Sequence, residues 1–297
     1  MYAAPPVIQT EVFTTLPKEL HNTEKYSPSV AERRAGKLHS FLEGPSFDRD
    51  GNLYCTDIPY GRIFKITPDG KWTVFAEFDG ERNGLRVHKD GKRLFVADHK
   101  LGLLSFDIAT GKMSVVLNRP HHEGFKGLND LTFASNGDLY FTDQGQSALE
   151  DPTGRVFRLR ATGELDLLFK GFAGPNGLVL SKDEKILYVN DSRLGLIRAF
   201  KVNDDGSVGA GKLFHTMQGP EAGVADGMKC DIEGNIYCTG PNGVHVIDPK
   251  GRLLGRLKIP GHSTNMAWGD DDWCSLYVTT YNSVYRTRVK VPGVAVW

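Results

Sequence analysis

Apolar and polar positions fall into short β-prone runs separated by glycine-rich turns. The stretch from Gly174 to Asp191, GPNGLVLSKDEKILYVND, shows the unit most plainly. Leu178 to Leu180 and Ile186 to Val189 are apolar runs flanking a tight turn at Lys182-Asp183-Glu184-Lys185. Such runs, bounded by turn residues, predict strands buried on both faces. The unit recurs. Gly44 opens GPSFDRDGNLYCTD, Gly84 opens GLRVHKDGKRLFVAD, Gly127 opens GLNDLTFASNGDLYFTD and Gly223 opens GVADGMKCDIEGNIYCTG. Asn265 opens a degenerate copy, NMAWGDDDWCSLYVTT. The aromatic residue of the second strand falls at Tyr54, Phe95, Tyr140, Tyr188, Tyr237 and Tyr277, in steps of 41, 45, 48, 49 and 40 residues.

A period of ~40–50 residues with several short strands per unit signals a β-propeller. Later strands at 62–66, 72–75, 155–159 and 165–169 fill out the units. Six units predict an all-β, six-bladed β-propeller, with residues 1–297 as a single domain. The sixth unit is one strand short, and a strand over residues 7–16, VIQTEVFTTL, is expected to complete it and close the ring. Closure removes the sheet edges that invite aggregation. Residues 17–40 break the pattern and read as an insertion over one face, with a short helix beginning near Ser29.

Composition narrows the partners. The 297 residues carry 36 basic and 36 acidic side chains, so no net charge draws the chain to nucleic acid or an anionic membrane. The first residues lack the basic and apolar regions of a signal peptide, and no apolar run approaches the ~18 residues of a membrane span. The widely spaced Cys55, Cys230, Cys238 and Cys274 read as reduced thiols of a cytoplasmic protein.

Residues just before the first strand of each propeller unit lie near the axis at one mouth. There the units supply Glu43, Asn129, Asn176 and Asp226. Singly, Asn176 and Asn129-Asp130 read as turn formers. A charge directly after Phe41-Leu42, or between Ala225 and Gly227, is harder to place as surface. Their shared phase favours function. Two carboxylates and two amides form an oxygen cage suited to a hard cation, Ca²⁺ first and Mg²⁺ or Mn²⁺ behind it. Rim candidates for a substrate pocket are Tyr60, His99, His122, Asp191 and His262, each also readable as a loop or turn residue.

At these positions the chain resembles the gluconolactonase and regucalcin (senescence marker protein) family of six-bladed propellers, which is related to drug-responsive lactonase and diisopropyl fluorophosphatase. The resemblance runs from about Leu42 to Tyr285. It is carried by Leu42-Glu43-Gly44-Pro45, Leu128-Asn129-Asp130, Pro175-Asn176-Gly177 and Ala225-Asp226-Gly227-Met228. It implies a divalent metal (Ca²⁺, or Zn²⁺, Mn²⁺ or Mg²⁺) on Glu43, Asn176 and Asp226, with Asn129 as fourth ligand or substrate contact. It also implies hydrolysis of a small lactone or ester, with Asp226 as general base or nucleophile. A phosphotriester hydrolase on the same metal and a non-catalytic binding propeller are the alternatives. Two departures stand out. The arginine common two residues before the Asn129 position in sugar-lactone hydrolases is Gly127 here, which points away from aldonolactones. The places of a second, structural calcium hold Lys229 and Ala267, so one metal is expected.

Overall fold

A computed structural model describes residues 5–22, 38–120, 122–217, 219 and 221–295. Its strands pair into six sheets set around one axis, as the repeat predicts. Blade one is Leu42–Phe47, Leu53–Asp57, Arg62–Ile66 and Trp72–Glu77; blade two is Arg82–Val87, Arg93–Asp98, Gly102–Asp107 and Met113–Leu117. Blade three is Leu128–Phe133, Leu139–Asp143, Gly154–Leu159 and Leu165–Phe172; blade four is Pro175–Leu180, Ile186–Asp191, Leu196–Lys201 and Lys212–Thr216. Blade five is Met228–Cys230, Ile236–Gly240, Gly243–Ile247 and Leu253–Lys258. Blade six takes Met266–Gly269, Ser275–Thr279 and Ser283–Arg288 from the end of the chain and Glu11–Thr15 from its beginning.

The single strand expected over 7–16 is two. Val7–Gln9 runs parallel to the outer strand of blade five, whereas Glu11–Thr15 runs antiparallel to Ser283–Arg288 of blade six. The chain changes blade at Thr10, whose hydroxyl donates to Lys258 O at 2.7 Å. Hydrophobic periodicity could not show this, because both halves are short β-prone runs in one unbroken stretch and only their partners differ.

Burial follows position in the blade. Inner and second strands are covered on both faces, and outer strands such as Met113–Leu117 keep exposed positions. The core lies between blades. Tyr54 and Ile63 of blade one pack with Leu85, Val87, Leu94 and Val96 of blade two, while Phe47 and Leu53 meet Ala267 and Tyr277 of blade six across the closure. Fully burying one such aliphatic side chain contributes about 1.5–3 kcal/mol, so the ring is held by six such seams.

Inner strands begin, and second strands end, on one face, called the front. An aspartate ending the second strand braces the segment that feeds the inner strand. Asp57 accepts from Phe41 N at 2.8 Å, Asp143 from Gly127 N at 2.8 Å and Asp191 from Ala173 N at 2.9 Å. The ends of the 17–40 insertion are tied to the same face at blade one. Arg62 Nη1 donates to Leu20 O at 2.8 Å, and the Tyr60 hydroxyl donates to Leu38 O. The helix expected near Ser29 lies outside the described residues.

Candidate metal centre

Each inner strand brings one polar residue to the front mouth, and the layer beneath it explains how they converge. Gly44, Gly84, Gly177 and Gly227 follow Glu43, Asn83, Asn176 and Asp226. A Cβ on any of these glycines would collide with the neighbouring inner strand: Gly44 with Asn83 O and Leu85 N, Gly84 with Asp130, Gly177 with Asp226 O, and Gly227 with Asn265. Glycine at that step lets the strands crowd the axis. In blades three and six the same step holds Asp130 and Asn265, whose side chains meet, Asn265 Nδ2 donating to Asp130 Oδ2 at 3.2 Å.

The second strands fix the ring from behind. Their penultimate residue donates to the carbonyl of the axial residue one blade on: Thr56 to Asn83 O at 2.7 Å, Thr142 to Asn176 O at 2.8 Å, Thr239 to Thr264 O at 3.0 Å, and Asn190 to Asp226 O. Gly177 N also donates to Asp226 O at 3.1 Å. Glu43, Asn129, Asn176 and Asp226 are all buried at this mouth, and the ring also contains Asn83 and Thr264. Opening the second unit at Gly84 and the sixth at Asn265 passes over these two by one residue; shifting each alignment back one place finds them.

Among the described residues, two fully buried side-chain oxygens of the ring lack donors. Glu43 Oε1 and Asn129 Oδ1 are buried without a hydrogen-bond partner. Asn129 Nδ2 is turned to Gln144 Oε1 at 3.3 Å, leaving the carbonyl oxygen to the ring. Glu43 Oε2 accepts from Gly44 N and, at 3.0 Å, from Asn265 Nδ2, so Oε1 is the uncommitted atom. Burial, then the Asp130 carboxylate, pushes Glu43 up to about 7; a nearby cation opposes both effects. Among the described residues no three His, Cys, Asp or Glu side chains gather at metal-binding spacing. Asn129 and Asn176 offer amide oxygens beside the carboxylates of Glu43 and Asp226, a composition that fits an oxygen-seeking divalent cation.

The rim candidates separate. His99 lies against Gly127, where a Cβ would overlap its ring. The imidazole thus occupies the space beside the missing arginine, next to the strand that carries Asn129. His262 stacks on Tyr281 with ring centroids 5.3 Å apart, and Phe41 lies 6.1 Å from His262 and 5.0 Å from Tyr281. Phe41 and Tyr281 were not among the sequence-level candidates. His122 is exposed in the loop before blade three. Tyr60 is buried beneath the 38–40 segment, and Asp191 is fully buried, also accepting from Arg193 N and Leu194 N at 3.1 Å each. These two are committed to bracing the front-face loops.

Below the Asp130–Asn265 pair lie two cations. Lys229 Nζ donates to Asn265 Oδ1 at 3.1 Å and Met228 O at 2.9 Å, and Arg86 Nη2 stands 3.8 Å from Asp130 Oδ1. Burial, then Arg86, pulls Lys229 down to about 7. Lys229 and Ala267 line one cavity of the channel.

Fold and ring together define a closed propeller with an oxygen-donor centre at one mouth. Residues 41–282 match the family described as SMP-30/Gluconolactonase/LRE-like region, and the chain belongs to that family. A gluconolactonase of Zymomonas mobilis is 30% identical over 84% of this chain and 79% of its own. Lactonase drp35 of Staphylococcus aureus is 31% identical over 74% of this chain and 70% of its own. The solved structure of regucalcin, a calcium-binding protein of Agrobacterium tumefaciens, superposes with a TM-score of 0.77 at 20% identity, covering 98% of each chain.

Proposed function

We propose that this protein is a metal-dependent lactonase that opens a small cyclic ester at the front mouth, with Ca²⁺ as the first choice of metal. The observation that carries the reading is the pair of buried, donor-free oxygens, Glu43 Oε1 and Asn129 Oδ1, in the ring that also holds Asn176 and Asp226. The names of the gluconolactonase and lactonase relatives support the substrate class, and the calcium-binding regucalcin supports the metal.

Glu43 and Asp226 supply the charge that retains the cation, and Asn129 and Asn176 supply neutral oxygens that set its position. A bound divalent cation supplies Lewis-acid polarisation of the ester carbonyl. Asp226 lies on a backbone fixed from both neighbouring blades, and serves either as base toward the attacking water or as nucleophile. Phe41, Tyr281 and His262 form an aromatic wall at the closure between blades six and one, suited to a lactone less polar than an aldonolactone, and His99 stands separately beside Gly127.

The test is a panel of an aliphatic lactone, an aldonolactone and a phosphotriester, assayed with chelator and after adding back Ca²⁺, Mn²⁺ or Zn²⁺. Lactone hydrolysis is expected to vanish with chelator and return with metal; undiminished turnover in chelator would sink the metal mechanism. A preference for the phosphotriester would favour the related hydrolase reading. Asp226→Ala is expected to lose about 100-fold or more in turnover while its circular dichroism is unchanged. Turnover in ¹⁸O-labelled water tests the nucleophilic role: label in the Asp226 carboxylate marks an acyl-aspartyl anhydride opened by water at the Asp226 carbonyl carbon.

A further inference from the structure

The channel has a second compartment. A cavity of about 570 Å³ opens on the rear face, and its depth is lined by one residue from each inner strand: Ser46, Arg86, Thr132, Val179, Lys229 and Ala267. Each lies two residues beyond the glycine, Asp130 or Asn265 of the layer above, so it is the next inward-facing position of its strand. The Asp130–Asn265 pair lies between this cavity and the front ring.

The lining is cationic at its depth, and aromatic side chains and further basic residues share the part nearer the opening. Arg86 is only 6% exposed, and among the described residues its close hydrogen bond runs to Leu85 O at 2.8 Å. Lys229 Nζ has two acceptors for three protons. Arg49, Lys89 and Lys182 add positive charge toward the mouth. The carboxylate there, Glu184, is already engaged by Ser135 N at 2.6 Å and Ser135 Oγ at 2.8 Å. Asp130 faces Arg86 from 3.8 Å, and among the described residues no carboxylate is in hydrogen-bond contact with Lys229. Asp130 and Glu43 act on Lys229 from beyond hydrogen-bond distance, and an anion entering beside Lys229 and Arg86 favours the charged form of the lysine that burial opposes. Phe133, Trp268 and Trp273 add apolar walls to the same cavity.

We propose that the rear cavity is a binding site for a small organic carboxylate, with its charged end between Lys229 Nζ and Arg86 and its apolar body against Phe133, Trp268 and Trp273. The site is separate from the front ring and requires neither a metal nor the hydrolytic reading.

Trp268 and Trp273 make the test direct, since occupancy alters their emission. Phenylacetate is the probe; phenylacetamide matches its shape without charge, and inorganic phosphate matches charge without an apolar body. Phenylacetate is expected to change the fluorescence saturably and to bind at least tenfold more tightly than either comparison compound. Equal binding of the amide or of phosphate, or no saturable change, would overturn the proposal. Lys229→Met, shown to be folded by circular dichroism, is expected to weaken phenylacetate at least tenfold; unchanged affinity overturns the assignment. Thr132→Trp fills the cavity while keeping both cations, and retained binding would likewise overturn it. Neither variant is needed for the last arm. Wild-type protein in chelator is expected to bind phenylacetate as before and to keep it when excess Ca²⁺ is added; displacement by Ca²⁺ would place the probe at the front mouth and overturn the site.

Discussion

At the scale of single residues, the ring depends on atoms that are absent as much as on those present. Gly177 has no Cβ because Asp226 O occupies that space. Its backbone angle is not in the left-handed region, so the effect of Gly177→Ala is steric alone. Overpacking of this kind costs about 1–3 kcal/mol. Urea melts are expected to show that loss, together with weaker metal binding by calorimetry; a neutral substitution would mean that the strands are not in contact at the axis. His245 gives a second test. It is buried with Nε2 donating to Pro241 O at 2.9 Å, and burial holds it down to about 4. As pH falls the unfolded chain takes up a proton near 6.5 and the folded chain only near 4. Stability is therefore complete above about 6.5 and drains away below it, by about 2 kcal/mol between pH 7 and pH 5. His245→Gln is expected to remove that component from the pH dependence, measured as wild type against variant at both pH values. Of the site itself, Glu43, Asn129, Asn176 and Asp226 were legible because one repeat phase contains all four. Arg86 and Lys229 were not legible as a pair. In the sequence each is one charge in a strand, and only the folded ring sets them facing the same cavity.

At the scale of elements, six hairpins were readable from runs and turns, because turn chemistry and the alternation of burial agree in every unit. Which sheet receives an edge strand was not readable, and residues 7–15 show why. Val7–Gln9 adds three exposed residues to a blade that already has four strands, whereas Glu11–Thr15 supplies the fourth strand of blade six. Removing residues through Gln9 is accordingly expected to shift the melting temperature little. Removing residues through Thr15 bares the edge of Ser283–Arg288 and uncovers Val284 in the seam with blade one. That second truncation is expected to melt far lower and to aggregate, read by scanning fluorimetry and light scattering. Equal stability of the two forms would show that the closing strand contributes nothing.

At the scale of the whole molecule, the propeller is a ring with two unlike mouths, divided by the contact between Asp130 and Asn265. Oxygen donors gather in front of that contact and cations behind it. The repeat period predicted the ring but not this division, because Asp130 and Asn265 meet from opposite sides although 135 residues separate them in sequence. The seam that closes the ring carries a further consequence, one of timing. Thr15 meets Ser283 across 268 residues of chain. At ribosomal rates of ~5–20 residues per second, Glu11–Thr15 emerges and then waits for roughly 13 to 54 seconds before its partner exists. A nascent chain stalled before Ser283 is expected to remain open to protease at Glu11–Thr15, and release past Arg288 to protect it. During that interval Glu11–Thr15 is a loose end with a reserved place, and whatever shields it in the cell must let go only when the last blade arrives.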